Sequence, residues 1–144
     1  MCSLASYRPD RTKKRVNQIF ENYYHQIESA RTEKQKLQAI GDLCRRLEIY
    51  HVFPDGNQRT IAFALLTKLL IENGFSPAIL EYPTLFDGMF TLREIVQQIE
   101  QGMIRFKKVS EHYREHPEHP LDFNTLNEGI SFSRELPFTS IPSE

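Results

Sequence analysis

Cysteine is scarce in this sequence: Cys2 lies near the start and Cys44 inside a helical pattern, too few for a disulfide framework. A reducing, cytoplasmic setting suits such a chain. Long apolar runs are missing too. The longest, Ile61 to Ile71, is broken by Thr67 and Lys68, and no signal-peptide pattern opens the sequence, so no membrane partner is expected. Nor is there an excess of charge. Lys plus Arg number 18 against 19 for Asp plus Glu, a net charge of -1, which gives no overall positive field to draw the chain onto nucleic acid. Any partner has to be recognised locally. Internal repeats and convincing strand pairs are also absent, which leaves the all-α class. With 144 residues the chain fits one domain, long enough to bury about two-thirds of its unfolded surface.

The helices can be read in order. Met1 to Pro9 shows no periodicity. Asp10 is placed to cap a first helix whose Val16, Ile19, Phe20, Tyr23 and Ile27 fall at three- and four-residue spacing. Arg11, Lys13, Lys14 and Arg15 crowd its first turns and read as a solvated face rather than a nucleic-acid patch. Thr32 with Gln35 has the form of a capping box and opens a second helix that carries Leu37, Ile40, Leu43, Cys44 and Leu47 inward. Residues 60 to 73 predict a helix with apolar side chains on nearly every side, suited to the middle of a bundle and stopped by Asn73-Gly74. Pro77 to Met89 is irregular, and a connector or a wall of a site are equally open readings. Thr91 with Glu94 is a further capping box, starting a helix lined by Leu92, Ile95, Val96, Ile99 and Met103 and extending as far as Phe106. From Pro117 onward, prolines 117, 120, 137 and 142 exclude a long helix, although Leu121, Phe123 and Leu126 can dock a short turn. Two parts follow: a helical domain over 1–116 and a Pro-containing C-terminal extension over 117–144, partly mobile.

The chemistry concentrates between His51 and Thr60, where an imidazole, a carboxylate, a Gly-Asn turn and a guanidinium fall in one short stretch. Gly56 lets the backbone turn, and Asn57 is placed to cap the next helix, so that N–H groups around 56 to 59 point at one spot. A helix N-terminus attracts an anion, and Arg59 in the first turn adds a full positive charge, which together describe a phosphate cradle. Asp55 offers the hard oxygen that a phosphate-bound Mg2+ needs. His51 is the natural general base for an incoming hydroxyl, since imidazole is the side chain suited to proton exchange at neutral pH. Phe53 is expected to turn into the core and anchor the loop. A plainer reading stays open on spacing alone: a half-buried structural histidine, a turn-forming aspartate and a surface cation.

His-x-Phe-x-Asp-Gly-Asn-x-Arg, carried here by His51, Phe53, Asp55, Gly56, Asn57 and Arg59, resembles the signature of the Fic (filamentation induced by cAMP) domain family. The resemblance spans roughly residues 7 to 106 and implies a helical bundle around the helix at about 60–73. It also implies transfer of part of a nucleotide or related phosphate compound to a protein hydroxyl, most often AMP from Mg-ATP to Tyr, Thr or Ser. In that scheme His51 deprotonates the target hydroxyl, Asp55 holds Mg2+, and Gly56, Asn57, Gln58 and Arg59 meet the nucleotide and its phosphates. The donor is then ATP with Mg2+, and the partner a target protein with a modifiable hydroxyl. Self-association stays open, as do secretion into a host cell and a donor such as another nucleotide or a phosphocholine compound.

Two departures from the signature bear on the donor. Gln58 stands where the family has its second glycine, and Ala62 where it has its last arginine. In the Doc branch of the family that glycine is a lysine and the last arginine is absent, and those proteins bind ATP in the reversed sense and transfer a phosphate. Asn57-Gln58-Arg59-Thr60 resembles that branch, so a Doc-like phosphotransferase is the alternative, followed by a nucleotide-binding or protein-interaction module without turnover. Tyr7-Arg8-Pro9 resembles the trailing end of the family's target-aligning flap, which is then expected to be missing or truncated here. Asn124 to Gly129 approaches the family's inhibitory motif and makes Glu128 a regulatory candidate, although its usual partner position is Ala62. His112 and His116 have a zinc-compatible spacing near His119, but Pro117 and the alternating glutamates favour a solvated surface.

Overall fold

In a computed structural model, residues 9–53 and 55–130 are described. The N-terminal eight residues, with Cys2 and the flap-like Tyr7-Arg8, and the tail from 131 lie outside them. Among the described residues the chain is all-α, as its composition and periodicity predict, with no strand.

Helix α1 spans Pro9–Ser29. Asp10 lies inside its first turn and is not its cap, because Pro9, with its φ preset for a helix, already occupies a helical position. Ile19 and Tyr23 are buried, and Val16, Phe20 and Ile27 pack against the same core. Arg11, Lys13, Lys14 and Arg15 are exposed. Helix α2 spans Glu33–Ile49 and begins with the predicted capping box: the Gln35 N–H donates to Thr32 Oγ1 at 3.1 Å, and the Thr32 N–H donates to Gln35 Oε1 at 3.3 Å. After the loop, a π-helical segment Arg59–Leu65 runs directly into α3, Leu66–Glu72. Helix α4 spans Leu92–Glu115 behind the Thr91–Glu94 capping box, and the short α5 spans Phe123–Asn127.

The hub is α2, which packs against α1, α4, the π segment and α3. Its buried side chains Leu37, Ile40, Leu43, Cys44 and Leu47 share one core cluster with Ile61, Leu66 and Leu70 of the helix after the loop and with Ile95 and Val96 of α4. Each such Leu or Ile contributes roughly 1.5–3 kcal/mol by leaving water, which outweighs the few tenths that helix propensity gives. Helix α4 approaches so closely that a Cβ on Gly41 would stand 2.9 Å from Ile95 Cγ2.

The helix at 59–72 is less enclosed than its composition predicts. Ile61, Ala62, Leu66, Leu69 and Leu70 face the core, while Phe63 is 53% and Ile71 57% exposed. The cause is local: the Leu66 N–H donates to the Ile61 carbonyl, a wide π turn that shifts the apolar stripe and leaves Phe63 outside it. The helix ends as predicted. Gly74 takes φ 83°, the Phe75 N–H donates to the Leu70 carbonyl at 2.9 Å and the Gly74 N–H to the Ile71 carbonyl at 3.1 Å, the two bonds of a Schellman motif.

The connector 77–89 is pinned from several directions. Leu85 and Phe86 are buried, and the Ile79 N–H donates to the Gly102 carbonyl of α4 at 3.0 Å. Arg105, only 2% exposed, reaches Glu81 Oε2 at 2.9 Å and Asn127 Oδ1 at 2.9 Å, tying both the connector and α5 to α4.

Candidate functional site

A cavity of about 640 Å3 opens where α2 ends and the π segment begins, lined by His51, Asp55, Gly56, Asn57, Gln58 and Arg59 together with Glu48, Phe63 and Pro83. Its size lies within the range of small-molecule pockets. All the site residues expected of the loop therefore line one space. Pro83 makes the connector a wall of the site as well as a link.

His51 occupies an unusual place. Helix α2 gives way at Tyr50, and His51 follows with φ 45°, donating its N–H to the Glu48 carbonyl at 3.1 Å. This is the position that Gly74 takes at the end of α3, and His51 is the non-glycine residue with positive φ among those described. A left-handed conformation costs an L-residue roughly 1–2 kcal/mol. The turn leaves the imidazole exposed at the cavity mouth, and no hydrogen bond to the ring occurs among the described residues.

Immediately after His51 the expected anchor is exchanged for its neighbour. Phe53 is 43% exposed, whereas Val52 is 6% exposed and belongs to the core cluster. The left-handed turn at His51 sends Val52 inward and Phe53 out. The loop is closed instead by Asn57, whose Oδ1 accepts from the Phe53 N–H at 2.9 Å and whose Nδ2 donates to the Phe53 carbonyl at 2.7 Å. Asn57 is thus no helix cap. The first helical bond runs from the Thr60 N–H to the Gly56 carbonyl at 2.9 Å, which puts Asn57 inside the first turn and its side chain back across the loop.

Gly56 has φ 72°, a conformation favoured by glycine, and a Cβ there would stand 3.9 Å from Arg59 Nη2, so the guanidinium lies beside this turn. The Gly56 N–H is taken by Asp55 Oδ1 at 2.7 Å. The amides that follow stand in a first turn, which supplies them no acceptor of its own. Asp55 itself is exposed. Among the described residues no group of three or more His, Cys, Asp or Glu can hold a metal ion. One hard carboxylate is nonetheless the donor set suited to Mg2+ arriving on substrate phosphates, which needs only one or two protein carboxylates.

Glu48, Phe63 and Pro83 are the lining residues that motif reading missed. For Glu48 a signal existed: it precedes His51 by one helical turn. Its Oε2 is buried and has no hydrogen-bond partner. Burial holds its carboxyl above the usual carboxylate range, while His51 pulls the other way and Asp87 adds to the rise.

The remaining candidates lie elsewhere. Glu128 is exposed at the end of α5, with its carbonyl accepting from the Lys108 ammonium, and it does not line the cavity; Ala62 is buried. The structure does not bring the two together. The histidine rings form a ladder, with centroids 5.7 Å apart for His112–His116 and 6.4 Å for His116–His119. His112 Nε2 already pairs with the His119 carbonyl at 2.7 Å. Cys44 is fully buried, and burial pushes its thiol far up, which makes it inert packing. No helix among the described residues is long and apolar enough to cross a membrane.

No family model matches the chain. It is similar to the phosphocholine transferase AnkX of Legionella pneumophila, with 30% identity over 96 residues. The match covers 67% of this chain and 10% of AnkX, so the chain spans about a tenth of the length of that curated relative. This similarity to a transferase accords with the Fic-like signature of the loop.

Proposed function

We propose that the cavity at His51 is the active site of a Fic-type transferase, which moves a phosphate-linked group from a Mg2+-bound nucleotide donor to a hydroxyl side chain of a target protein. The observation that carries this reading is that His51, Asp55, Gly56, Asn57, Gln58 and Arg59 line one cavity. Exposed His51 takes the proton of the hydroxyl as its oxygen attacks phosphorus. Arg59 and the first-turn amides stabilise the charge that builds on the phosphate oxygens, and Asp55 would hold Mg2+. The bond from phosphorus to the remainder of the donor breaks, and that remainder leaves with the electron pair.

The loop signature by itself supports AMP as the group moved, with pyrophosphate leaving from ATP. Similarity to a phosphocholine transferase favours phosphocholine, with a nucleoside monophosphate leaving. Buried Ala62 supplies no guanidinium for the terminal phosphates of ATP held in the AMP-transferring sense, which weighs against AMP transfer and suits either phosphocholine or, with Gln58, Doc-like phosphotransfer. The test incubates the protein with cell lysate, Mg2+ and one of three donors: ATP labelled at the α phosphate, ATP labelled at the γ phosphate, or CDP-choline labelled in its choline. His51→Ala is the control. Choline label on protein means phosphocholine transfer, α label means AMP transfer, and γ label alone means Doc-like phosphotransfer. Equal signals from the two proteins refute the site.

A further inference from the structure

We propose that Glu48 is the positioning residue of this site, holding the His51 ring and stabilising its protonated form; the role rests on His51 being the general base. Glu48 stands on the last turn of α2, its carbonyl accepts the His51 N–H at 3.1 Å, and both residues line the same cavity. Glu48 Oε2 is a buried acceptor without a donor, and the imidazole beside it carries no hydrogen bond among the described residues. Each supplies what the other lacks. The left-handed turn at His51 folds the chain back at the end of α2, and the two side chains line one cavity and interact electrostatically.

The chemistry of such a pair is specific. A carboxylate accepting from one ring nitrogen fixes the tautomer, leaves the other nitrogen free to take the hydroxyl proton, and stabilises the imidazolium that forms. The charged surroundings are few. Asp87 approaches Glu48 from the connector, Asp55 and Arg59 line the cavity with it, and the Cys44 thiol lies one turn back on α2. The effect of Asp87 is to favour the protonated carboxyl, and that of His51 the carboxylate.

The test separates this role from the transferase reading by measuring the imidazole directly. NMR titration of the His51 ring in the unliganded protein is compared among wild type, Glu48→Gln and Glu48→Asp, with circular dichroism to establish that each is folded. The ring titration is expected to move to lower pH in Glu48→Gln, and Glu48→Asp, which keeps the charge, to recover at least half of that movement. In transfer assays, Glu48→Gln is expected to lower kcat about tenfold and move the acid limb of the pH profile to lower pH. The KM for the donor stays within about twofold of wild type, as removal of a group that acts only through the base requires. An unchanged His51 titration overturns the proposal. So does a rise in KM for CDP-choline with kcat and the pH profile unaltered, which would mean that Glu48 meets the cationic donor itself. If no donor is turned over, the transferase reading falls while the titration still decides the pairing.

Discussion

Replacing His51 by glycine is expected to make the protein more stable while abolishing its activity. His51 sits at φ 45° just past the end of α2, in the place that Gly74 holds after α3. Relief of a left-handed L-residue is worth roughly 1–2 kcal/mol. The greater freedom of glycine in the unfolded chain takes back about 0.4–1 kcal/mol. The net gain is about 0.5–1 kcal/mol, a rise in Tm of roughly 2–4 °C for a chain of this size. His51→Ala keeps the unfavourable backbone and is expected to gain nothing, so the difference between the two variants isolates the backbone contribution. Calorimetry on all three proteins, with transfer assayed in parallel, checks both halves. A Tm for His51→Gly at or below that of His51→Ala would refute the strain argument. Transfer by His51→Gly at the wild-type rate would show that the imidazole has no chemical role.

Other variants probe the frame around the base. Asn57→Ala removes two bonds to the Phe53 backbone at a residue only 8% exposed, and is expected to cost about 2 kcal/mol in urea titration. Arg105→Met takes away the cation paired with Glu81 and one hydrogen bond of Asn127, and is expected to cost about 2–3 kcal/mol, less than a fully buried pair because Glu81 is partly exposed. Faster hydrogen exchange in the connector and α5 would accompany that loss. Burial holds the Glu48 carboxyl above its ordinary value, so its contribution to stability is fully present below the unfolded pKa and is lost as pH rises through the folded one. The stability of wild type relative to Glu48→Gln is therefore expected to fall between about pH 4 and pH 7. Denaturation midpoints of the two proteins at both pH values check the sign.

The fold was legible in the sequence wherever local signals agreed. Thr32 with Gln35 and Thr91 with Glu94 started their helices as capping boxes, and Asn73-Gly74 ended one with both bonds of its motif, because each depends only on residues within a turn of one another. The candidate site was legible as a list of residues, since the loop holds its members within a few positions. Orientation was not. Nothing in the residue types foretells that His51 turns left-handed, and that one dihedral sends Val52 rather than Phe53 into the core. Nor does an apolar helix announce a π turn, which left Phe63 exposed at the cavity. Propensity makes Asn57 a cap, but a pair of backbone partners at Phe53 takes both groups of its amide.

The most direct measurement of the central claim is the appearance of choline label on lysate proteins incubated with CDP-choline, Mg2+ and either the wild-type chain or its His51→Ala variant. Labelled protein is expected with wild type and none above background with the variant, once circular dichroism shows that the variant is folded. Equal labelling by the two, or no protein labelled from CDP-choline or from ATP labelled in either position, would contradict it.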